Sequence, residues 1–80
     1  MINWRKHIVS DEHVLLGKPT IKGTRISVDH ILQLLTQGWT EQQILDNFTR
    51  LTHEHLQAVF AYINECLQDG LLYEIPKESA

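Results

Sequence analysis

The chain has 80 residues, a formal net charge of −3 and one cysteine, Cys66. A chain of this length forms one small domain that buries only about 60–65% of its unfolded surface, so dimerisation would add stability. A single cysteine excludes an intramolecular disulfide framework and a cysteine-based zinc site. No apolar run approaches the roughly 18 residues that span a membrane, and the N-terminus lacks a signal-peptide core. We therefore expect a soluble cytoplasmic protein.

The charge is unevenly distributed along the chain. Residues 1–27 hold five Lys and Arg against two Asp and Glu, a net charge of +3. Residues 28–80 hold two Lys and Arg against eight Asp and Glu, a net charge of −6. The positive charge that nucleic-acid binding requires is therefore concentrated in the first third of the chain.

The stretch from Gly17 to Val28 is the most distinctive in the chain and predicts a β-hairpin. β-Branched residues alternate with polar ones on both sides of Gly23, and glycine accepts the positive φ of a tight turn. The predicted arms are Thr20-Ile21 and residues 25–28, and Ser27 is placed to cap the helix that follows.

Two further short β-like pieces are expected before this hairpin, at residues 7–9 and 14–16. From Val28 onward the apolar period becomes helical. The first predicted helix ends before Gly38, a natural C-terminal stop.

The remaining pattern predicts two more helices. Thr40 and Gln43 form a capping box at the start of the second helix, and Thr52 caps the third. The third helix is the longest and is expected to end at Asp69-Gly70. Its predicted core stripe consists of five apolar residues at helical spacing, Leu56, Val59, Phe60, Ile63 and Leu67.

These elements predict one structural domain with three parts: a hairpin segment over residues 1–27, three helices over residues 28–70, and a tail over residues 71–80. The second and third helices have the dimensions of a helix-turn-helix, whose second helix can enter a major groove. The expected fold class is mainly α, a helix-turn-helix domain with a short N-terminal β-hairpin.

A set of residues at constant offsets runs through most of the chain: Gly17-Lys18-Pro19-x-Ile21-x-Gly23-Thr24-Arg25-Ile26-x-Val28, Leu51-Thr52-x-x-x-Leu56 and Ala61-Tyr62. In this set the chain resembles the small prokaryotic family known as domain of unknown function 433, over roughly residues 4–67. The resemblance implies a homeodomain-like fold of three helices preceded by β-structure. It also implies an antitoxin of the VapB type, which binds its own operator DNA and blocks a PIN-like nuclease toxin.

Candidate DNA-binding residues lie in the hairpin and around the start of the third helix. A symmetric dimer would present the hairpin cations twice, and the N-terminus of the third helix could hold a phosphate. The candidates are Lys18, Lys22, Arg25, Arg50, Thr52, His53 and Gln57. Two alternatives stay open: Arg25 could instead bond backbone carbonyls of its own turn, and the third helix could simply present a solvated face.

The tail carries the candidate residues for binding a partner protein, Leu71, Leu72, Tyr73 and Ile75. These apolar residues follow a helix stop, so they either dock on a partner or fold back on the third helix. We also expect a homodimer joined partly through the hairpin.

No set of residues predicts catalysis, a metal site or a cofactor. His53 and His55 are two positions apart on a helix, so their side chains point about 200° apart and cannot chelate one ion. The run after Gly17 is not a phosphate-binding loop, because its lysine follows the wrong glycine and Pro19 removes an amide donor. We expect no enzymatic activity, and the alternative to a DNA-binding regulator is a protein-interaction module.

Overall fold

The computed structural model describes residues 2–70. Three α-helices follow a two-stranded antiparallel sheet, as the sequence predicts, and the fold is mainly α. The elements are an N-terminal 3-10 helix (Trp4–Lys6), β1 (Ile8–Val9), a second 3-10 turn (Leu15–Gly17), β2 (Thr20–Ile21), α1 (Val28–Thr36), α2 (Glu41–Asn47) and α3 (His53–Gln68).

The sheet pairs β1 with β2 in antiparallel register. Ile8 lies opposite Ile21, and Val9 lies opposite Thr20. Both isoleucines are buried, whereas Val9 is exposed. The alternation of side chains along β1 therefore places one residue in the core and one at the surface.

The turn predicted at Gly23 is confirmed. Gly23 has a φ of +81°, and the Ile21 N–H donates to the Ile26 carbonyl across the turn at 2.9 Å. The second arm of this hairpin makes only an isolated bridge, in which Ser27 pairs with Thr20. The second arm is short because Ser27 must already cap α1, so the longer pairing of β2 is with β1.

Of residues 14–16, only Val14 is β-like, with an isolated antiparallel bridge to Asp11; Leu15 and Leu16 are not, contrary to the prediction. Leu15, Leu16 and Gly17 have positive φ values of 51°, 57° and 81°. The Gly17 N–H donates to the Asp11 and Val14 carbonyls at 3.1 and 3.2 Å, so a local loop satisfies the backbone in place of a strand partner. The side chain of Leu16 is left 93% exposed.

The three predicted helix caps are confirmed. The Ser27 hydroxyl accepts the His30 N–H at 3.0 Å at the start of α1. The Thr40 hydroxyl accepts the Gln43 N–H at 3.1 Å, and the Gln43 side chain accepts the Thr40 N–H at 2.8 Å. Thr52 caps α3, so the N-terminus of each helix is satisfied by a neighbouring side chain.

One core joins the sheet to all three helices. Both the sheet and the helices contribute buried residues to this core. The hairpin is therefore anchored mainly by apolar packing, and its few backbone hydrogen bonds add less. The buried members are Ile8, Ile21, Val28, Ile31, Leu34, Ile44, Leu51, Leu56, Ala58 and Val59.

The predicted core stripe of α3 is wrong at two positions. Phe60 is 44% exposed and Leu67 is 60% exposed. The opposite edge of the helix is covered by the N-terminal 3-10 helix, where the ring of Trp4 packs edge-on against Tyr62 with centroids 4.8 Å apart. The buried face of α3 keeps Leu56 and Val59 of the expected stripe and adds Ala58 and Cys66 in place of Phe60 and Leu67.

We expect Gly23→Ala to lower the free energy of unfolding by about 1 kcal/mol, because an alanine resists the positive φ of this turn. A Cβ at Gly23 would meet no atom within 4 Å, so the cost is conformational and not steric. Urea unfolding measures it. Gly23→Asn is the control and should lose less, since asparagine tolerates left-handed backbone better than alanine. An equal loss in both variants would contradict this explanation.

Candidate functional site

A side chain from the connection between α2 and α3 holds the tip of the hairpin. The Arg50 Nη1 donates a hydrogen bond to the Gly23 carbonyl at 3.1 Å. The two residues are 27 positions apart in the chain. This bond brings the predicted basic hairpin and the predicted helix-turn-helix connection to the same place on the surface.

The turn that Arg50 contacts is itself well ordered by hydrogen bonds. The Thr24 hydroxyl donates to the Ile21 carbonyl at 2.8 Å and accepts the Ile26 N–H at 3.0 Å. The Thr24 N–H also donates to the Ile21 carbonyl, at 3.0 Å. The backbone that carries the Arg25 side chain is therefore held in place by these hydrogen bonds.

Arg25 and Arg50 line one cleft of about 420 Å³, which we call the arginine cleft. Among residues 2–70, neither guanidinium lies within 4 Å of a carboxylate. Guanidinium groups bind phosphate and carboxylate oxygens through paired N–H donors, so a cleft with two of them suits an anionic group. Its full lining is Val9, Asp11, Val14, Thr20, Gly23, Thr24, Arg25 and Arg50.

The structure distinguishes the two roles considered for the arginines. It is Arg50 that bonds a carbonyl of the turn, whereas the side chain of Arg25 makes no hydrogen bond with any of residues 2–70. The carbonyl-bonding role that the sequence left open for Arg25 is therefore filled by Arg50, which keeps further N–H donors for another group.

The two predicted lysines differ in their surroundings. Lys18 Nζ lies 3.8 Å from Asp29 Oδ2, and both side chains are exposed, so part of its charge is balanced. Lys22 is exposed beside Gly23, and its backbone N–H donates to the His7 carbonyl at 2.8 Å. Of the two, Lys22 adds to the positive charge around the hairpin tip.

The N-terminus of α3 carries the other candidates. Thr52 and His55 form a reciprocal capping box: the Thr52 hydroxyl accepts the His55 N–H at 3.3 Å, and His55 Nδ1 accepts the Thr52 N–H at 3.1 Å. His53 and Gln57 are both exposed. The sequence did not predict the role of His55, because glutamate and glutamine are the usual residues at this capping position.

The capping histidine lies beside a second histidine. The rings of His7 and His55 are 5.6 Å apart between centroids, and His7 Nε2 lies 3.7 Å from Glu54 Oε1. Burial lowers the pKa of His55 below its ordinary 6.5, the nearby His7 lowers it further, and Glu54 opposes the change. Within residues 2–70, no group of three or more metal-binding side chains is assembled.

A second groove, of about 560 Å³, lies between the N-terminal 3-10 helix and the C-terminal half of α3. Arg5 borders it, with its guanidinium 4.4 Å from the centre of the Trp4 ring and 2.6 Å from a Glu65 oxygen. Trp4 Nε1 is buried and has no hydrogen-bond partner among the described residues. The lining residues are Ile2, Asn3, Trp4, Arg5, Ala61, Asn64, Glu65 and Gln68.

The four candidate partner-binding residues of the tail, Leu71, Leu72, Tyr73 and Ile75, lie outside the described residues. Among residues 2–70, no helix is long and apolar enough to cross a membrane.

Comparison with known proteins gives one family and one similar structure. The family model described as "Protein of unknown function (DUF433)" matches residues 8–63. The crystal structure of a DUF433 member protein from Anabaena variabilis ATCC 29413 is 29% identical in sequence, with a TM-score of 0.71. The match covers 78% of this chain and 61% of that one, so the chain spans less than two thirds of the other protein. No curated protein matches the chain.

Acidification is expected to destabilise the cap of α3 through His55. Because the pKa of His55 is lower in the folded protein than its ordinary 6.5, the unfolded chain takes up the proton first as pH falls. The stabilisation is complete above pH 6.5 and is lost as pH falls through the folded pKa. Protonated Nδ1 also no longer accepts the Thr52 N–H.

Urea unfolding at several pH values between 7.5 and 5 measures this effect. His55→Gln is the matched control, because glutamine accepts the same hydrogen bond without titrating in this range. It should keep most of the stability at pH 7.5 and show a shallower loss on acidification. A loss as steep as that of the wild type would rule out His55 as its source.

Proposed function

The chain belongs to the DUF433 family, and we propose that it is a cytoplasmic DNA-binding regulator of the antitoxin type. In this proposal the arginine cleft and Lys22 contact the phosphate backbone of operator DNA. The hydrogen bond from Arg50 to the Gly23 carbonyl carries the proposal, because it joins the basic hairpin to the connection that leads into α3.

Electrostatics favour this surface over the rest of the chain. Affinity for duplex DNA depends largely on neutralising phosphates, and the chain has a net charge of −3. Arg25 and Arg50 share the cleft with one acidic residue, Asp11, and Lys22 lies next to the turn at Gly23. None of these three cations has a carboxylate within 4 Å among residues 2–70. Arg5 and Lys18, in contrast, are already paired with acidic side chains.

In this proposal the first turn of α3 adds further contacts to the DNA backbone. Thr52 and His53 are exposed there, next to backbone N–H groups that favour a phosphate. Gln57 lies one turn further along, three residues before the exposed Phe60, so the two residues share one side of the helix. Since an apolar ring is a poor neighbour for polar base edges, the proposal assigns Gln57 no base contact.

The proposal also includes a partner toxin of the PIN-like nuclease type, bound through residues 71–80. This part depends on the family resemblance and on the apolar residues of the tail, Leu71, Leu72, Tyr73 and Ile75. The rival function is a protein-interaction module without DNA binding, which the acidic helical part of the chain favours.

Arg25→Ala and Lys22→Ala should each weaken binding to a duplex from upstream of the protein's own gene, by about tenfold at low salt. Each should also make the slope of log affinity against log salt concentration shallower, by about 0.9 for every phosphate that the variant no longer neutralises. Fluorescence anisotropy across a salt series, with a scrambled duplex as reference, measures both.

Two variants serve as matched controls for this experiment. Arg5→Ala removes an arginine that is bound to Glu65 outside the cleft, and Gln57→Ala removes an exposed side chain of α3. Neither should change affinity by more than about twofold, an energy of roughly 0.4 kcal/mol. Equal losses in the controls and in the cleft variants would contradict the assigned surface, and no wild-type binding at low salt would favour the interaction module.

Deleting residues 71–80 is expected to abolish binding of the partner toxin while leaving DNA binding intact, because the described core and the arginine cleft lie within residues 2–70. Co-purification with the product of the adjacent gene measures the first effect, and anisotropy measures the second. Circular dichroism is the control for folding. Retained toxin binding in a folded, truncated chain would refute the role of the tail.

A further inference from the structure

The arginine cleft contains one carboxylate, and phosphate binding alone does not account for it. Asp11 lines the cleft together with Arg25 and Arg50. A negative charge beside a bound phosphate lowers the affinity for that phosphate, because like charges repel. A cleft that only had to hold anions would bind them more tightly with a neutral residue at this position.

Asp11 does not form an ion pair with either arginine of the cleft. Its carboxylate oxygens lie more than 4 Å from both guanidinium groups. The space between the three charged groups is open, since the cleft has a volume of about 420 Å³. A group that the arginines bind in this space therefore also experiences the negative charge of Asp11.

Hydrogen bonds hold the carboxylate of Asp11 in place. Asp11 Oδ1 accepts the His13 N–H at 2.9 Å. The Asp11 carbonyl accepts the N–H groups of Val14 and Gly17 at 2.9 and 3.1 Å. Asp11 Oδ2 accepts no hydrogen bond from any of residues 2–70. One carboxylate oxygen therefore fixes the position of the side chain, and no donor from this part of the chain reduces the negative charge on the other.

The charged residues that line the cleft give it a net charge of +1, because Asp11 offsets one of the two arginines. Lys22 is not among the lining residues. A phosphodiester of a nucleic-acid backbone carries one negative charge. A phosphate monoester, as in a free nucleotide or a phosphorylated side chain, carries about −1.5 to −2 at pH 7. The net charge of the cleft therefore matches that of a phosphodiester.

We propose that Asp11 is a specificity-determining residue, which shifts the preference of the arginine cleft from phosphate monoesters toward singly charged phosphodiesters. The inference rests on the proposed function, in which the cleft contacts the phosphate backbone of DNA. Coulomb energy is proportional to the product of the charges, so Asp11 repels a dianion with twice the energy with which it repels a monoanion. The carboxylate thereby reduces competition from free nucleotides and other phosphate monoesters for the cleft.

Two small esters test the proposal: dimethyl phosphate, with one negative charge, and monomethyl phosphate, with two at pH 8. Each is titrated into the full-length protein without DNA at constant ionic strength, and the amide chemical shifts of Thr24 and Arg25 report binding. Asp11→Asn should raise the affinity for dimethyl phosphate about threefold and that for monomethyl phosphate about tenfold, because doubling the energy squares the factor. Asparagine keeps an acceptor for the His13 N–H.

Glu12→Gln is the matched control, because it removes the same charge from the next residue, which is exposed and does not line the cleft. It should change the ratio of the two affinities by less than about 1.5-fold, since salt at 0.15 M screens exposed charges beyond about 8 Å. Arg25→Ala should act in the opposite direction and weaken the binding of monomethyl phosphate more than that of dimethyl phosphate.

Far-UV circular dichroism checks that each variant is folded. If Asp11→Asn does not fold, Asp11→Ser replaces it, since a serine hydroxyl also accepts a backbone N–H two residues further along. Equal gains for the two esters, or no gain for either, would overturn the proposal. So would ester binding that Arg25→Ala leaves unchanged, because the esters would then lie outside the cleft.

These outcomes are distinguishable from a failure of the proposed function. A wild type that binds no duplex DNA, combined with the expected ester affinities, would refute DNA binding and support the role of Asp11. A wild type that binds DNA, combined with equal gains for the two esters in Asp11→Asn, would refute the role of Asp11 alone.

Discussion

The hydrogen bond between Arg50 and the Gly23 carbonyl is the contact on which the candidate site depends. It connects two segments that each carry part of the positive charge and that are far apart in the sequence. Without it, the tip of the hairpin would be held by the short β1–β2 pairing, by its own turn and by the packing of Ile21 in the core. With this hydrogen bond, the chain presents two guanidinium groups in one cleft, near the N-terminus of α3, the longest helix.

The core explains why this contact can form. Ile8 and Ile21 anchor the sheet beneath the helices, so the hairpin cannot move independently of them. Leu51, buried in the connection next to Arg50, anchors the other side. Both ends of the Arg50–Gly23 bond are thus fastened by buried apolar residues one or two positions away. The site is positioned by packing, and its hydrogen bonds then select one arrangement of the side chains.

Local sequence signals predicted much of this structure, but they did not predict the contacts between residues far apart in the chain. The helix caps at Ser27, Thr40 and Thr52 and the turn at Gly23 follow from the chemistry of a few neighbouring residues. The exposure of Phe60 does not follow from such local chemistry. Helical spacing indicates an apolar stripe but not which of its residues another element covers. The 3-10 helix that covers the opposite edge of α3, through Trp4, carries no comparable signal. The Arg50–Gly23 contact was equally invisible, since both residues suit exposed turns.

The most direct test of the shared surface is an amide chemical-shift titration of the full-length protein with a duplex from upstream of its own gene. We predict that the amides of residues 22–25 and 50–53 shift together over the same range of DNA concentration, because the two segments form one surface. The outer face of α3 over residues 57–67 should change little. Shifts confined to that face, or shifts in only one of the two segments, would show that the two segments do not form one DNA-binding surface.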